Sequence, residues 1–160
     1  SPEELDFIDQ NPIFELYDFN YTDDIRLLCK DPHFTAINNA LSTDLTGQVA
    51  SESIGAQMFT GTGGQTAFAI SASLAGGKSV IAVPSSSMLD GERISRILPA
   101  LAPGTVVTTP RAFVDYVVTE YGIATLRGKS LRQRAQELIA VAHPDFRDQL
   151  QGEAVRMYNL

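Results

Sequence analysis

The sequence predicts an α/β fold in which helical layers cover a mixed β-sheet. Three observations lead to this prediction. An apolar run from Lys78 to Val83 is typical of a buried strand and ends at a proline and a run of serines. A glycine-rich loop, Phe59 to Gln65, precedes an alanine-rich stretch without charges. The last quarter has helical periodicity and begins with Ser130 and Gln133, the pattern of a capping box.

The composition is that of a folded, acidic domain. Hydrophobic residues make up 44% of the chain, charged residues 19%, and the formal net charge is -7. Nucleic acids and anionic membranes need clustered Lys and Arg on their partners, so we expect neither. The single cysteine, Cys29, permits no internal disulfide and has no set of metal ligands around it, which favours a cytoplasmic location and no metal. No apolar run reaches the roughly 18 residues of a membrane span.

Residues 1–34 are acidic but also rich in aromatic side chains, which is too apolar for a solvated tail. We expect them to be a lead-in that packs on the core of a single-domain chain, with residues 35–160 as the carboxy-terminal domain proper. A short helix is predicted at 24–29, capped by Thr22 or Asp23.

The remaining elements follow from apolar runs and turn residues. Helices are predicted from near Phe68 to Gly76, from Leu131 to Ala142 and from Pro144 onward. Strands are predicted at 35–41, 45–49, 78–83, 94–98, 106–109 and 116–119.

The glycine loop is the strongest candidate for chemistry. Gly61, Gly63 and Gly64 can take positive φ and bring backbone N–H groups close to a ligand oxygen. A helix that starts directly after such a loop has unpaired first-turn amides, which favour a phosphate, a carboxylate or a developing oxyanion. A tight turn between two packed elements would explain the same glycines.

Other motifs fail on their spacing. The stretch from Gly76 to Ser79 has Ala72 where a phosphate-binding loop needs its first glycine, and it leads into a strand. The loop glycines also lack the spacing of the dinucleotide-binding fingerprint. His33 and His143 each stand beside a proline without partners for a metal site or a triad, which favours structural or exposed histidines.

Two glutamates lie near the predicted site. Glu120 directly follows the strand at 116–119, and a carboxylate at the carboxyl end of a strand lies where α/β folds bind ligands. A solvated loop carboxylate fits Glu120 equally well. For Glu52, in a polar loop ahead of the glycines, we expect a carboxylate in water or at a helix N-terminus.

Several stretches together resemble the carboxy-terminal domain of the acetyl-CoA hydrolase/transferase family, which includes 4-hydroxybutyrate and succinyl-CoA:acetate CoA-transferases. The resemblance runs in order from about Asn11 to Leu150. The stretches that carry it are Asp44 to Gly55, Gly61 to Gln65, Val117 to Ala124, Leu126 to Arg132 and Ala142 to Arg147.

The resemblance implies a two-domain enzyme whose halves share a CoA-transferase fold. In this family a glutamate attacks the acyl-CoA thioester, and a glutamyl-CoA thioester is then resolved by a carboxylate or by water. That glutamate follows a His-Thr pair, a motif that this sequence lacks, so Glu52 is not taken as the nucleophile. Coenzyme A is a substrate here, no cofactor is implied, and the implied partners are the amino-terminal half and a second copy in a homodimer.

The resemblance also implies site residues. A backbone N–H, that of Gly64, contributes to an oxyanion hole, and Glu120 faces the nucleophile. The residues that the resemblance implies as contacts of CoA or the acyl group are Gly61, Gly63, Gln65, Tyr121 and Gly122. Two departures from the family, Ala67 before Phe68 and the stretch from Met88 to Arg93, leave the acceptor unidentified.

The leading hypothesis is therefore the carboxy-terminal half of a CoA-transferase or acyl-CoA hydrolase acting on short acyl-CoAs, inactive without the upstream glutamate. The main alternative is a non-catalytic regulatory module that binds CoA or a nucleotide. A dimerisation domain whose glycine loop is only a turn is a weaker third hypothesis.

Overall fold

A computed structural model of the protein describes residues 1–159. The helices are α1 (Pro2–Ile8), α2 (Phe19–Thr22), α3 (Ile25–Leu28), α4 (Gln65–Leu74), α5 (Leu131–Ala140) and α6 (Pro144–Tyr158). The strands are β1 (Thr35–Asn39), β2 (Ser42–Asp44), β3 (Val49–Ala50), β4 (Ser53–Ile54), β5 (Gln57–Met58), β6 (Lys78–Ala82), β7 (Ser86–Leu89), β8 (Glu92–Ser95), β9 (Ile97–Leu98), β10 (Tyr116–Thr119) and β11 (Gly122–Thr125).

The main sheet has the order β1-β6-β10-β11 and is mixed, which confirms the predicted fold class. Strands β1 and β10 both run parallel to β6, whereas β11 is antiparallel to β10. Helix α4 packs on β1 and β6, and α5 packs on β11 and α6. The core lies between these layers and is built mainly of aliphatic side chains; its largest fully buried members include Leu45, Ile81, Ile97, Leu126 and Leu138.

The parallel strands β1, β6 and β10 end at one edge of the sheet. Helix α4 is joined to β6 by the short turn at Gly76 and Gly77. At 1.5 Å per residue, its ten residues return the chain about 15 Å from the carboxyl edge to the amino edge. The start of α4 therefore lies at the carboxyl edge, where α/β folds bind their ligands.

The prediction of a strand at 45–49 is wrong, because most of that stretch is a turn between β2 and β3. Asp44, which is buried, accepts hydrogen bonds at Oδ1 from the N–H groups of Thr46 and Gln48 and from the Thr46 hydroxyl. Gly47 has φ of +90°, a backbone conformation that favours glycine. A side chain rather than a strand partner thus organises this segment.

Two other strand predictions need correction. The stretch 94–98 is split at Arg96 into the ends of β8 and β9, which belong to different sheets. The stretch 106–109 forms only one bridge, between Thr109 and Val49. Beyond that bridge the Thr108 hydroxyl, in place of a backbone carbonyl, accepts the N–H of Ser51, so no ladder continues.

Two antiparallel partners were missed. Strand β11 returns directly after Glu120, through a turn in which Gly122 has φ of +140°. Strands β7 and β8 form a hairpin whose two turn residues, Asp90 and Gly91, both have positive φ, the conformation of a type I′ turn.

The helix predictions hold for α5 and α6. Ser130 and Gln133 form the expected capping box, and Pro144 is the first residue of α6. Helix α4 begins at Gln65, three residues before the predicted start, which puts the glycine loop directly against it. The cap of α3 is Asp24 rather than Thr22 or Asp23.

Residues 1–34 carry α1, α2 and α3, none of which contains a buried residue. Their aromatic rings contact one another, as in the pairs Phe7 with Phe14 and Tyr17 with Tyr21. The division of the chain at residue 34 stays a prediction. No helix within residues 1–159 is both long and apolar enough to cross a membrane.

A buried carboxylate ties the amino ends of β6 and β10 together. Asp115 is 3% exposed; its Oδ2 accepts the N–H of Ser79 at 2.9 Å, and its Oδ1 pairs with Nε of Arg127 at 2.8 Å. Its backbone N–H also donates to the Ser79 carbonyl oxygen. One residue thereby fixes β10 against β6 before their ladder begins.

We expect Asp115→Ala to lower the free energy of unfolding by about 2–4 kcal/mol, because it leaves the buried N–H of Ser79 unpaired and the Arg127 charge without its partner. Urea denaturation measures the change. The matched control is Asp148→Ala, an exposed aspartate for which the change should stay within about 0.5 kcal/mol. Equal losses in the two variants would contradict this role of Asp115.

Candidate active site

The glycine loop leads directly into α4, and its residues 59–63 are exposed. Its glycines do not take positive φ, contrary to the expectation from the sequence. A Cβ added at Gly61 or Gly63 would meet nothing within 4 Å among residues 1–159. Neither conformation nor internal packing therefore requires glycine at these two positions. What the glycines provide is free space beside the backbone, open to a ligand or to another part of a larger protein.

Gly64 is glycine for a different reason. It is the N-cap of α4, with φ of -76°, and its carbonyl accepts the first helical hydrogen bond, from Phe68. An added Cβ would lie 2.7 Å from the Phe68 ring and would collide with Oδ2 of Asp23. In the described chain, no hydrogen bond is donated by the backbone N–H of Gly63 or Gly64. These amides are available at the positive end of a helix dipole.

Hydrogen bonds to the adjoining segment fix the first turn of α4. Gln65 donates from Nε2 to Oγ1 of Thr109 at 3.2 Å, and the Thr66 hydroxyl donates to the carbonyl of Thr108. Gln65 thus uses a side-chain N–H to contact the segment that holds α4 in place.

Asp23 lies beside the glycine loop, although the sequence prediction assigned it only as a possible helix cap. Its Oδ2 is buried beside Gly64 and has no hydrogen-bond partner in residues 1–159, while Oδ1 accepts the hydroxyl of Thr22. A buried acceptor without a donor is costly, so this oxygen is a candidate contact for a donor group of a ligand. No sequence signal marks Asp23, because it is 41 positions from Gly64 in an acidic segment.

Glu52 is neither in water nor a side-chain cap of α4, so the sequence expectation for it is wrong. The residue is 5% exposed, and its Oε2 accepts the hydroxyl of Thr62 at 2.9 Å. Its backbone carbonyl accepts the N–H groups of Phe59 and Thr60. Glu52 is therefore attached to the glycine loop by both its main chain and its side chain.

Glu120 lies in the turn between β10 and β11, at the carboxyl edge of the sheet. Its two carboxylate oxygens accept hydrogen bonds from one residue, Ser85: the hydroxyl donates to Oε1 at 2.5 Å and the N–H to Oε2 at 3.0 Å. These hydrogen bonds hold the pKa of the Glu120 carboxyl below its ordinary value, against a small opposing effect of burial. Glu120 is thus fixed and ionised at neutral pH.

An aromatic and cationic cluster adjoins Glu120. The guanidinium of Arg147 lies 5.5 Å from the centroid of the Tyr121 ring. The centroid of the His143 ring is also 5.5 Å from that of Tyr121, and the two rings are nearly perpendicular. His143 also caps α6 through Nδ1, which accepts the N–H of Asp145. This histidine is structural, as the sequence analysis favoured. Gly122 closes the turn with its positive φ.

The predicted residues thus form two groups. Gly61, Gly63, Gly64 and Gln65 lie at the start of α4, and Glu120, Tyr121 and Gly122 lie in the β10–β11 turn. Both groups are at the carboxyl edge of the main sheet, and no hydrogen bond within residues 1–159 joins one group directly to the other.

An apolar cavity of about 560 Å³ borders the first residue of the loop. It also contacts the β7–β8 hairpin, within the stretch from Met88 to Arg93 that departs from the family pattern. The lining includes Leu41, Phe59, Leu89, Ile94, Leu98 and Phe146.

Comparison with known proteins identifies the domain. Residues 1–154 match the family model described as "Acetyl-CoA hydrolase/transferase C-terminal domain". The chain belongs to this family. The 4-hydroxybutyrate coenzyme A transferase of Clostridium kluyveri is 47% identical over 149 residues, which cover 92% of this chain and 34% of that protein. This acetyl-CoA hydrolase/transferase domain therefore spans about a third of the length of that curated relative.

Solved structures agree with this assignment. The crystal structure of RipA from Yersinia pestis is 36% identical, with a TM-score of 0.87, and the match covers 99% of this chain and 35% of that one. The 4-hydroxybutyrate CoA-transferase of Porphyromonas gingivalis is 40% identical, with a TM-score of 0.75, over 99% of this chain and 35% of that one. The acetyl-CoA hydrolase/transferase domain thus has the fold of CoA-transferase structures.

We expect Ser85→Ala to raise the pKa of Glu120 towards the ordinary glutamate value, because the hydroxyl is the largest cause of the lowering. A folded-state pKa below the unfolded one stabilises the protein above the unfolded pKa, and this stabilisation is lost as the pH falls through the folded pKa. Ser85→Ala should therefore reduce the part of the folding stability that is lost when Glu120 is protonated at low pH. Carboxyl-detected NMR titration measures the pKa directly.

Ser87→Ala is the matched control for that titration. The Ser87 hydroxyl is buried close by in the chain and has no hydrogen-bond partner in the described residues, so its removal should leave the Glu120 titration in place. A Ser85→Ala protein that titrates like the wild type would show that the hydroxyl does not set the pKa of Glu120.

Proposed function

We propose that this domain forms one wall of the active site of a CoA-transferase or acyl-CoA hydrolase, which acts on short acyl-CoAs. The observation that carries the proposal is the glycine loop. It is exposed, has free space beside Gly61 and Gly63, and presents undonated N–H groups of Gly63 and Gly64 at a helix N-terminus. Such amides stabilise a developing oxyanion by about 3–4 kcal/mol for each donor.

The reaction needs that stabilisation at each acyl transfer. A glutamate oxygen attacks the thioester carbonyl carbon, and the C–S bond breaks to release the CoA thiolate and leave an acyl-glutamyl anhydride. The thiolate then attacks the glutamyl carbonyl, which releases the acyl group as a carboxylate and forms the glutamyl-CoA thioester. An incoming carboxylate, or water in a hydrolase, resolves that thioester. Negative charge develops on a carbonyl oxygen in every step, and the loop amides face that charge.

The nucleophilic glutamate belongs to another part of the enzyme in this proposal. Within the chain, the two glutamates near the site are already engaged, since Glu52 is buried against Thr62 and Glu120 is fixed by Ser85. The domain also spans about a third of the length of its curated relative, so most of such an enzyme lies outside it. Its own residues supply the oxyanion donors and the facing carboxylate.

Glu120 acts on the nucleophile by charge. An ionised carboxylate at the carboxyl edge disfavours ionisation of a second carboxylate close to it, and so raises the energy and reactivity of that group once it is ionised. The guanidinium of Arg147, stacked on Tyr121, supplies the opposite charge for an incoming carboxylate. Specificity for an acceptor would depend on this balance.

The exposed apolar side chains of residues 1–34 support a contact with the missing part of the enzyme. Ile13 is 82% exposed and Leu16 is 93% exposed, and several aromatic rings of the same segment are exposed as well. Exposed apolar side chains gathered in one short segment are typical of an interaction site. We assign it to the amino-terminal half, within the homodimer that the family resemblance implies.

Trapping with borohydride tests the proposal. After incubation with acetyl-CoA or succinyl-CoA, the complete enzyme should show the mass change of a reduced glutamyl thioester, located outside residues 1–160. This chain alone should show none, because it lacks the nucleophile. A modification at Glu52 or Glu120 would contradict the proposal, and CoA binding without acyl exchange by the complete enzyme would establish the regulatory module instead.

Gly64 gives a sharper test of the oxyanion donor. Both Gly64→Ala and Gly64→Pro add a carbon beside the Phe68 ring, but only Pro removes the N–H. The φ of -76° suits proline, and the Ala variant carries the same collision of Cβ with Asp23 and Phe68, so the difference between the two variants reports the loss of the N–H. In the complete enzyme, kcat of the Pro variant should fall on the order of 100-fold below that of the Ala variant. Equal kcat values would remove Gly64 from the oxyanion hole.

A further inference from the structure

We propose that Glu52 is the positioning residue of the glycine loop, acting through Thr62. The inference rests on the proposed function, because it assigns a role in setting the amides that face the oxyanion. Glu52 is buried, it has a carboxyl group that the reaction steps do not use, and its hydrogen bonds converge on the loop. No other carboxylate in residues 1–159 hydrogen-bonds to the loop.

Three hydrogen bonds join Glu52 to the segment that precedes Gly63. Its carbonyl oxygen accepts the N–H of Phe59 at 2.8 Å and the N–H of Thr60 at 3.3 Å, and its Oε2 accepts the Thr62 hydroxyl at 2.9 Å. The main chain thus holds the start of the loop, and the side chain holds its middle. Since the next two residues are the glycines with undonated amides, the direction of those amides depends on Thr62.

The loop has little else to hold it. Phe59 to Gly63 are all exposed, and the two flanking glycines give no side-chain packing. Glycine has the largest conformational freedom of any residue, so a loop of this composition samples many states unless hydrogen bonds select one. A misplaced donor loses most of its effect on the transition state, because oxyanion stabilisation depends on preorganised geometry.

Glu52 is itself held firmly. Its neighbour Ser51 donates its N–H to the Thr108 hydroxyl and its own hydroxyl to the Asn39 carbonyl, and Ser53 accepts the N–H of Val106. The backbone carbonyl of Thr108 also accepts a hydrogen bond from the hydroxyl of Thr66 in α4. The segments on both sides of the glycine loop are therefore hydrogen-bonded to the same stretch, residues 106–108. This is the arrangement expected of a preorganised site.

The test uses five variants of the complete enzyme: Glu52→Ala, Glu52→Gln, Thr62→Val, Thr62→Ser and the double variant Glu52→Ala/Thr62→Val. We expect Glu52→Ala and Thr62→Val each to lower kcat by about 10- to 100-fold, with KM for acyl-CoA changed less than about threefold. The double variant should lose no more than the worse single variant, because the two residues act as one unit. Gln and Ser keep an acceptor and a hydroxyl, and each should recover most of the lost kcat.

Thr60→Val is the matched control. Thr60 lies in the same loop, and its hydroxyl contacts only the Gly61 carbonyl, so we expect less than about a threefold change in kcat. Losses that multiply in the double variant, a change confined to KM, or a Thr60→Val loss as large as that of Thr62→Val would overturn the proposal. Thr62 is exposed, so Thr62→Val tests the idea even if Glu52→Ala fails to fold.

Hydrogen exchange separates this inference from the proposed function. The amides of Phe59 and Thr60, which donate to the Glu52 carbonyl, should exchange faster in Glu52→Ala and in Thr62→Val than in wild type, whatever the reaction is. If exchange accelerates but kcat is retained, Glu52 holds the loop without serving catalysis, and the inference fails. If the Gly64→Pro variant also keeps full kcat, the proposed function itself fails.

Discussion

The parallel pairing of β6 with β1 and β10 is the constraint on which the candidate site depends. The register places Val118 opposite Ala82. Ser85 and Glu120 therefore follow the carboxyl ends of two adjacent strands at nearly the same position along the strand direction. A slip by one residue would turn Glu120 to the other side of the sheet, because side chains alternate along a strand. The anchor at Asp115 lies at the opposite edge and fixes that register before the ladder begins. The hydrogen bonds from Ser85 that fix Glu120 and lower its pKa are thus a product of strand register.

Glycine is used in two distinct ways in this domain. At Gly47 and Gly122 the backbone takes positive φ, so conformation demands glycine. In the glycine loop the φ values are not positive, and the glycines instead keep space open beside the main chain. Sequence patterns do not distinguish these uses, although only the second one points to a ligand.

The sequence predicts elements whose signal is local. The capping box at Ser130, the proline that starts α6 and the apolar run of β6 are each set by neighbours within a few residues, and all three are found. The two-residue strands β4 and β5 carry no periodicity, so they could not be predicted. The turn at Asp44 depends on a side chain that replaces a strand partner, which apolar patterns do not report.

The candidate site shows the same division. The glycine loop and Glu120 could be found from residue type and position, because a glycine cluster and a carboxylate after a strand are local patterns. The burial of Glu52 depends on a loop that returns ten residues later to cover it. The burial of the Asp23 Oδ2 atom depends on Gly64, which is 41 residues away at the start of α4. The resemblance to the family identified the domain, but only the three-dimensional contacts showed how its loop is held.

The β7–β8 hairpin has a consequence for how substrate preference can change. Its two-residue turn is self-contained, its tip is exposed, and its base is fixed by a hydrogen bond between Arg96 and Ser85. Lengthening or recomposing the tip alters one wall of the apolar cavity without touching the sheet or the Ser85 contact to Glu120. Selection can therefore reshape the cavity in small, independent steps while the groups at the carboxyl edge stay unchanged.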